Sequence, residues 1–355
     1  MHVRWKHLAI GLAILPIVVF FATWIGFFNV GASTGHWKIT EWFLHFAMRS
    51  AVRTYAFTVD VPDRLPREGL QPAGGHFARG CAICHGAPGE PRSPAALAML
   101  PRPPDLADVV GKWKDRELFR IVKHGVRFTG MPAWPTQARD DEVWAMVVFL
   151  RALPAMDATT YRRLAYDGKP SPPMHATGIE EALAECNRCH GVDGMGRSPS
   201  TPVLAGQNEV YLLESLRAYA EGRRPSGMMT LPVQAIDYAR LTALARHFAE
   251  LPRAVAPARG EEERFRRGEQ IARHGRPVER VPACLGCHAS AKRSPAYPRL
   301  AGQSAAYISA QLRLFREGRR GGTRFSPLME NAAKSLSDAD IENVTTYFST
   351  LSPGD

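Results

Sequence analysis

An uninterrupted apolar run near the start of the chain predicts a single helix. It extends from Leu8 to Phe28, contains no charged residue and follows two basic side chains. A helix of this length can cross the hydrocarbon core of a bilayer, and Trp24 near its far end is typical of a membrane interface. We therefore expect an uncleaved membrane anchor over residues 1–30, with the basic start in the cytoplasm and the other residues outside.

A cleaved secretory signal peptide is the alternative interpretation. The apolar core of such a peptide has about 7–15 residues, which is shorter than this run. The sequence Asn-Val-Gly-Ala-Ser that follows nevertheless permits cleavage after Ala32. Either interpretation leaves the rest of the chain outside the cytoplasm.

A second pattern, over residues 36–57, predicts an amphipathic helix. Trp42, Phe43 and Phe46 fall close to one helical face, whereas Arg49 and Arg53 lie elsewhere. Such a helix lies in a membrane interface or docks on a membrane partner. It also suits packing on the segment that follows, and the sequence leaves these alternatives open.

The remaining chain consists of three repeats. The sequence "PVLAGQNEVYLLESLRAYAEGRR" (202–224) returns as "PRLAGQSAAYISAQLRLFREGRR" (298–320), and a more distant copy begins with "PDL" at 104–106. Each repeat has a leading helix, a Pro-x-Leu loop, a middle helix, a methionine-bearing loop and a final helix. The leading helices are expected at 74–85, 178–190 and 264–288, and the final helices at 140–154, 237–252 and 338–353.

These patterns predict an all-α protein with three tandem domains after the anchor. Each final helix is preceded or opened by Asp and stops before Pro, as helix signals require. The expected parts are the anchor at 1–30, the amphipathic helix and linker at 31–73, domains at 74–154, 178–252 and 264–355, and linkers at 155–177 and 253–263.

The net charge of +11 does not change this picture. Lys and Arg are spread along the chain without a single basic block, so we expect no nucleic-acid partner, although an acidic protein partner remains compatible.

The cysteines carry the most specific chemistry. All six fall in three pentapeptides, "CAICH", "CNRCH" and "CLGCH". A disulfide framework does not explain the neighbouring His, and a structural zinc site usually needs two such pairs close together. Cys-x-x-Cys-His signals covalent haem, in which both thiols form thioethers and the His binds iron. The predicted attachment residues are Cys81, Cys84, His85, Cys186, Cys189, His190, Cys284, Cys287 and His288.

A methionine recurs before each final helix and is the candidate for the sixth iron ligand. The candidates are Met131, Met229 and Met329, with Met228 as the alternative in the second repeat. A methionine is otherwise core filler, but its recurrence at one position favours ligation. His124 and His247 are weaker candidates.

A ligating His usually donates its other ring nitrogen to a carbonyl group. The prolines that open the three Pro-x-Leu loops are candidates for that acceptor, and they also shape the loops. These residues are Pro104, Pro202 and Pro298.

Over about residues 74–353, each repeat resembles a class I, mitochondrial-type cytochrome c domain. The second and third, with Pro-x-Leu-Ala-Gly-Gln and Glu-Gly-Arg-Arg, resemble small bacterial two-domain periplasmic cytochromes. The resemblance implies the axial pairs His85/Met131, His190/Met229 and His288/Met329, with the three prolines as histidine acceptors.

The resulting expectation is an electron carrier with three covalent haem c groups, anchored to a bacterial inner membrane with its haem domains in the periplasm. It would exchange electrons with redox proteins and bind no small-molecule substrate. Two alternatives remain: an electron-transfer subunit of a larger dehydrogenase or terminal oxidase, and a haem enzyme such as a peroxidase.

Overall fold

The computed structural model describes residues 5–31, 33–169, 178–253, 261–288 and 294–352. Within these ranges the chain forms helices and turns, and extended backbone pairs only in two isolated bridges. The predicted all-α fold class is therefore confirmed. Parts of both expected linkers (170–177 and 254–260), the first four residues and Ala32 lie outside the described residues.

Helix α1 (Trp5–Trp24) is the apolar element that the sequence predicts. It has 20 residues, a mean hydropathy of 2.1 and no buried side chain. Its length and composition suit a membrane span, and a signal sequence near the N-terminus has the same properties.

Helix α2 (Lys38–Ala56) has two different ends. The aromatic residues of its first half are exposed, and the rings of Trp42 and Phe46 stack on each other with centroids 5.8 Å apart. At its other end Ala56 is fully buried, and the guanidinium of Arg120 lies 5.0 Å from the ring centroid of Tyr55. The helix therefore packs on the following segment by its C-terminal end and leaves an aromatic face open.

The first helical segment is built around three aromatic side chains with no exposed surface, Phe77, Phe149 and Tyr161. Its helices are α3 (Leu70–Gly80), α4 (Ala82–His85), α5 (Pro94–Leu97), α6 (Leu106–Val109), α7 (Asp115–His124), α8 (Asp140–Ala152) and α9 (Ala158–Tyr166). Short 3₁₀ turns occupy Arg67–Gly69, Val110–Lys112 and Leu153–Ala155.

Helix α9 lies where the sequence analysis placed a linker. Asp157 caps it by accepting a hydrogen bond from the backbone N–H of Thr160, 2.7 Å away. Tyr161, Ala165 and Tyr166 follow a helical spacing and are buried in the first core. The first segment therefore continues to Tyr166, beyond the boundary expected at residue 154.

The second and third segments share one plan, in which the leading helix and the middle helix pack on the last helix. The second contains α10 (Ile179–His190), α11 (Glu209–Ala220), α12 (Gly227–Val233) and α13 (Tyr238–Glu250). The third contains α14 (Glu262–His274), α15 (Leu285–His288), α16 (Ala305–Arg316), α17 (Ser326–Ala333) and α18 (Asp338–Thr350), with a 3₁₀ turn at Pro277–Glu279.

The predicted final helices agree with α8, α13 and α18, which all end just before a proline. Asp237 caps α13 by accepting from the backbone N–H of Arg240, and Ser337 caps α18 in the same way through Asp340. The prediction of methionine-bearing loops is wrong for two repeats. Met229 lies in α12 and Met329 in α17, because the Ser226 cap and a first-turn proline start a helix there.

Two glutamines join the second and third segments by reciprocal hydrogen bonds. The Gln207 side chain accepts from Arg299 N at 2.7 Å and donates to Arg299 O at 3.0 Å. The Gln303 side chain accepts from Val203 N at 2.8 Å and donates to Val203 O at 3.0 Å. The repeated Ala-Gly-Gln motif thus satisfies backbone groups of the opposite segment, and those of Val203 are buried.

Helices α14 and α18 of the third segment pack closely at Gly268. A methyl group there would lie 2.1 Å from the carbonyl oxygen of Asn343 on α18. We expect Gly268→Ala to push α14 and α18 apart and to lower the free energy of unfolding by about 1–3 kcal/mol. Denaturant unfolding of the haem-loaded protein measures this loss.

Gly111→Ala is the matched control, because a methyl group at Gly111 would meet no atom within 4 Å. Its free energy of unfolding should change by no more than about 0.5 kcal/mol. Equal stability of the two variants would contradict the close packing of α14 and α18.

Candidate haem-attachment sites

Each Cys-x-x-Cys-His sequence occupies one helical turn. In the first, the backbone N–H groups of Cys84 and His85 both donate to Cys81 O, at 3.1 and 3.0 Å, and the third has the same pattern. In the second, the pentapeptide forms the end of α10. A spacing of three residues places both sulfurs of a pair on one helix face. None of the six cysteines, all of which lie in the described residues, forms a disulfide.

Each histidine of these turns is held by the loop that follows it. Its Nδ1 atom lies within hydrogen-bonding distance of a proline carbonyl oxygen, and since a carbonyl can only accept, Nδ1 is the donor. The distances are 2.9 Å for His85 and Pro104, 3.3 Å for His190 and Pro202, and 2.9 Å for His288 and Pro298. The Nε2 lone pair of each imidazole is consequently the one left for a metal ion.

Burial keeps these imidazoles neutral. It lowers the pKa of His190 to about 4 and also lowers the pKa of His85 and of His288, although the proline hydrogen bond acts in the opposite direction. A neutral imidazole is the form that binds iron.

Burial has the opposite effect on the thiols. It raises the pKa of Cys81 and of Cys186 to about 12 and that of Cys284 to about 11. A redox-active Cys-x-x-Cys pair needs a lowered thiol pKa. The first thiol of each pair therefore lacks the lowered pKa of a redox-active cysteine.

The predicted methionine ligands lie on separate elements from the histidines. Met131 lies in the loop before α8, where its backbone N–H donates to Thr129 Oγ1 at 3.1 Å. Met228 packs against the core of the first segment, whereas Met229 belongs to no hydrophobic cluster of the described residues. Met329 packs at the edge of the third core. The pairing of each methionine with a histidine stays a prediction.

The alternative histidine ligands have other surroundings. His124 is exposed at the end of α7, and the ring of His247 lies 5.2 Å from that of its neighbour Phe248.

Beside His85 there is a cavity of about 420 Å³, a size typical of ligand sites, which Leu97, Leu106 and Met156 also line. Met131 does not line that cavity.

Two buried arginines were missed by the sequence analysis. Arg224 donates to Tyr307 Oη at 3.2 Å, and Arg320 donates to Tyr211 Oη at 3.1 Å, each across the boundary between the second and third segments. Both are nearly inaccessible to solvent, and in the described part of the chain no carboxylate forms an ion pair with either. The only sequence signal was the repeated Glu-Gly-Arg-Arg.

This donor set fits covalent haem. Each turn offers two thiols for thioether bonds and an imidazole with a free Nε2 for the iron. Buried cations without a counter-ion also fit a group that carries carboxylates, because an isolated buried charge is costly.

Comparison with known proteins gives the same chemistry. Residues 70–150 match the family model of cytochrome c oxidase, cbb3-type, subunit III, and residues 267–352 match that of cytochrome c. Cytochrome c4 of Pseudomonas aeruginosa is 34% identical over 184 residues, which are 50% of this chain and 90% of that protein. The thiosulfate dehydrogenase electron acceptor of Thiomonas intermedia is 34% identical over 189 residues, 52% of this chain and 86% of that protein.

Among solved structures, reduced recombinant cytochrome c4 from Pseudomonas stutzeri is 33% identical, with a TM-score of 0.44. The match covers 50% of this chain and 100% of that one.

The cytochrome c domains imply covalently bound haem c, and the relatives support electron transfer as the activity. Because this chain spans nine tenths of the Pseudomonas aeruginosa protein at 34% identity, it belongs to the cytochrome c4 family of c-type cytochromes.

Proposed function

We propose that the protein carries three haem c groups and passes single electrons between redox proteins on the outer side of a bacterial inner membrane. The observation that carries this proposal is the threefold recurrence of one geometry: paired thiols on a helical turn, followed by a histidine held on a proline carbonyl. It occurs once in each helical segment.

Bound haem iron supplies a one-electron couple, whose potential is higher with His/Met ligands than with two histidines. The proposed axial pairs are His85/Met131, His190/Met229 and His288/Met329. Pro104, Pro202 and Pro298 fix the orientation of the imidazoles and leave Nε2 of each ring as the atom that would bind iron.

Arg224 and Arg320 are the proposed partners of haem carboxylates in the second and third segments. Each already has a tyrosine hydroxyl from the opposite segment as a neutral acceptor, but neither charge is balanced within the described residues. A charge-assisted hydrogen bond to a carboxylate would offset the cost of burying the cation.

The proposed architecture is three cytochrome c domains. They begin at about residues 74, 178 and 264, and the first includes α9. Helix α1 is the proposed anchor that holds these domains in the periplasm. Its length supports a span, and the alternative is a signal peptide cleaved near residue 32.

Two roles fit this chemistry: the protein is a free carrier, or it is a subunit of a larger redox complex. Two observations favour a subunit of a larger dehydrogenase or terminal oxidase. The first segment is similar to subunit III of cbb3-type oxidases, and a relative is named as the electron acceptor of thiosulfate dehydrogenase. The exposed aromatic face of α2 provides a surface for such an assembly.

The haem count tests the central proposal. Purified protein should give three covalently bound haems per chain in a pyridine haemochrome assay. Changing both cysteines of one pentapeptide to alanine should reduce the count to two, for each pentapeptide in turn. A count of two in the unchanged protein would contradict the proposal.

The methionine assignment in the second segment has its own test. Met229→Leu should remove one Met–iron contribution from the far-red absorption and lower the midpoint potential of one haem, because a sulfur ligand is lost. Met228→Leu is the control, since its side chain packs on the first core, and it should leave the band unchanged. If only Met228→Leu removes the contribution, Met228 is the ligand.

A further inference from the structure

Glu142 is a buried acid whose bonding partners lie largely outside its own segment. It occupies the first turn of α8 and is 5% exposed. Within the first segment its carboxylate contacts Arg139 at 3.1 Å and accepts from Trp134 Nε1 at 3.2 Å. Its other recorded partners lie at the start of α12, in the second segment.

The carboxylate binds the N-terminus of α12. Its Oε1 atom accepts from Ser226 Oγ at 2.5 Å, and its Oε2 atom accepts from Gly227 N at 2.6 Å and, less closely, from Met228 N at 3.4 Å. The first N–H groups of a helix have no partner within the helix, and an acid there is stabilised by the helix dipole. Arg139 adds a bond to Pro225 O at 3.2 Å, just before the helix.

Ser226 connects this contact to the proposed ligand. Its hydroxyl donates to Glu142, and the same oxygen accepts from Met229 N at 3.1 Å. Because the hydroxyl hydrogen is directed to the carboxylate, the lone pairs of the serine oxygen can accept the cap hydrogen bond. The backbone of Met229 is therefore held through one serine by an acid from the first segment.

The start of α12 packs tightly against Trp134 of the first segment. A methyl group on Gly227 would lie 2.2 Å from Trp134 Nε1. The Trp134 ring is buried, with its centroid 4.4 Å from that of His76 on α3. Met228 is partly buried and packs against the first core, so α12 contacts the first segment on its Met228 side.

Helix α3 of the first segment also contacts α10, the thiol-bearing helix of the second segment. A methyl group on Gly75 would lie 2.9 Å from Cys189 Sγ, and Gln71 Nε2 donates to Arg188 O at 2.9 Å. An ion pair between Arg79 and Glu185 at 3.2 Å continues this contact along α10. Helices α10 and α12, which carry the thiols and the methionine of the second segment, thus both pack on the first segment.

The third segment is built differently. At the start of α17, Ser326 bonds with Thr323 of the same segment. Asp340, at the position of its helix that Glu142 occupies in α8, binds Ser337 and Arg276, also within its own segment. Within the described residues the start of α17 has no side-chain cap and bonds within its own segment, whereas the start of α12 is capped by its own Ser226 and also binds an acid of the first segment.

We propose that Glu142 is a positioning residue for Met229, through which the first segment sets the ligand geometry of the second haem site. The inference rests on the proposed role of Met229 as an axial ligand. It assigns to the first segment a structural role in the second site, in addition to holding its own haem.

The test uses full-length, haem-loaded Glu142→Ala and Glu142→Gln, with Asp340→Asn as the matched control. Hydrogen exchange of the 226–233 backbone, followed by mass spectrometry, should accelerate about tenfold or more in Glu142→Ala, since a charge-assisted bond to the helix start is lost. One haem should lose its far-red Met–iron contribution or fall in midpoint potential. Glu142→Gln keeps the shape and one acceptor, so its effects should be smaller.

In Asp340→Asn, both the 226–233 exchange and the potential of the second haem should stay as in the unchanged protein. Unchanged exchange in Glu142→Ala would overturn the contact itself. Faster exchange with the far-red band and all potentials intact would overturn the positioning role. If instead Met229→Leu leaves the band intact, the ligand assignment fails, which is a separate result from either outcome with Glu142.

Discussion

The hydrogen bond from the histidine of each pentapeptide to a proline carbonyl is the constraint on which the rest of the structure depends. It ties the thiol-bearing turn to a loop that comes 10 to 19 residues later. With both ends of that stretch fixed, the loop between each pentapeptide and its Pro-x-Leu sequence is closed on the histidine. The same bond selects the ring tautomer, so that one local interaction orders both the fold of a segment and the chemistry of its imidazole.

The three segments satisfy this constraint but are joined in two different ways. The second and third meet through reciprocal contacts, in which Gln207 and Gln303 exchange equivalent hydrogen bonds. The first meets the second through contacts that are not equivalent, with Glu142 of the first binding the start of α12 and Met228 of the second packing on the first core. A repeated sequence can produce a reciprocal interface because the same residues face each other, whereas the first segment, being more divergent, packs through residues of its own.

Several features were beyond sequence reasoning for identifiable physical reasons. Helix α9 stands in a stretch rich in loop-forming residues, and its packing on α3, through Tyr161 against Phe77, is a tertiary contact that no local pattern indicates. The methionine helices α12 and α17 are too short to show a period and depend on caps and tertiary contacts. The burial of Arg224 and Arg320 was not predictable, since Arg is usually a surface residue and its partners come from another segment.

The sequence by itself determined the helical class, the three repeats, the apolar N-terminal helix and the attachment chemistry, because these follow from residue order within one or two helical turns. It also supplied the prolines and methionines as candidates, since their positions recur in register. Only the tertiary structure decided which side chains cross between segments. Those contacts, such as Glu142 with Ser226 and Gln303 with Val203, join residues 84 and 100 positions apart. Pairings over such distances leave no local pattern, because they depend on how whole helices pack rather than on which residues are neighbours in the chain.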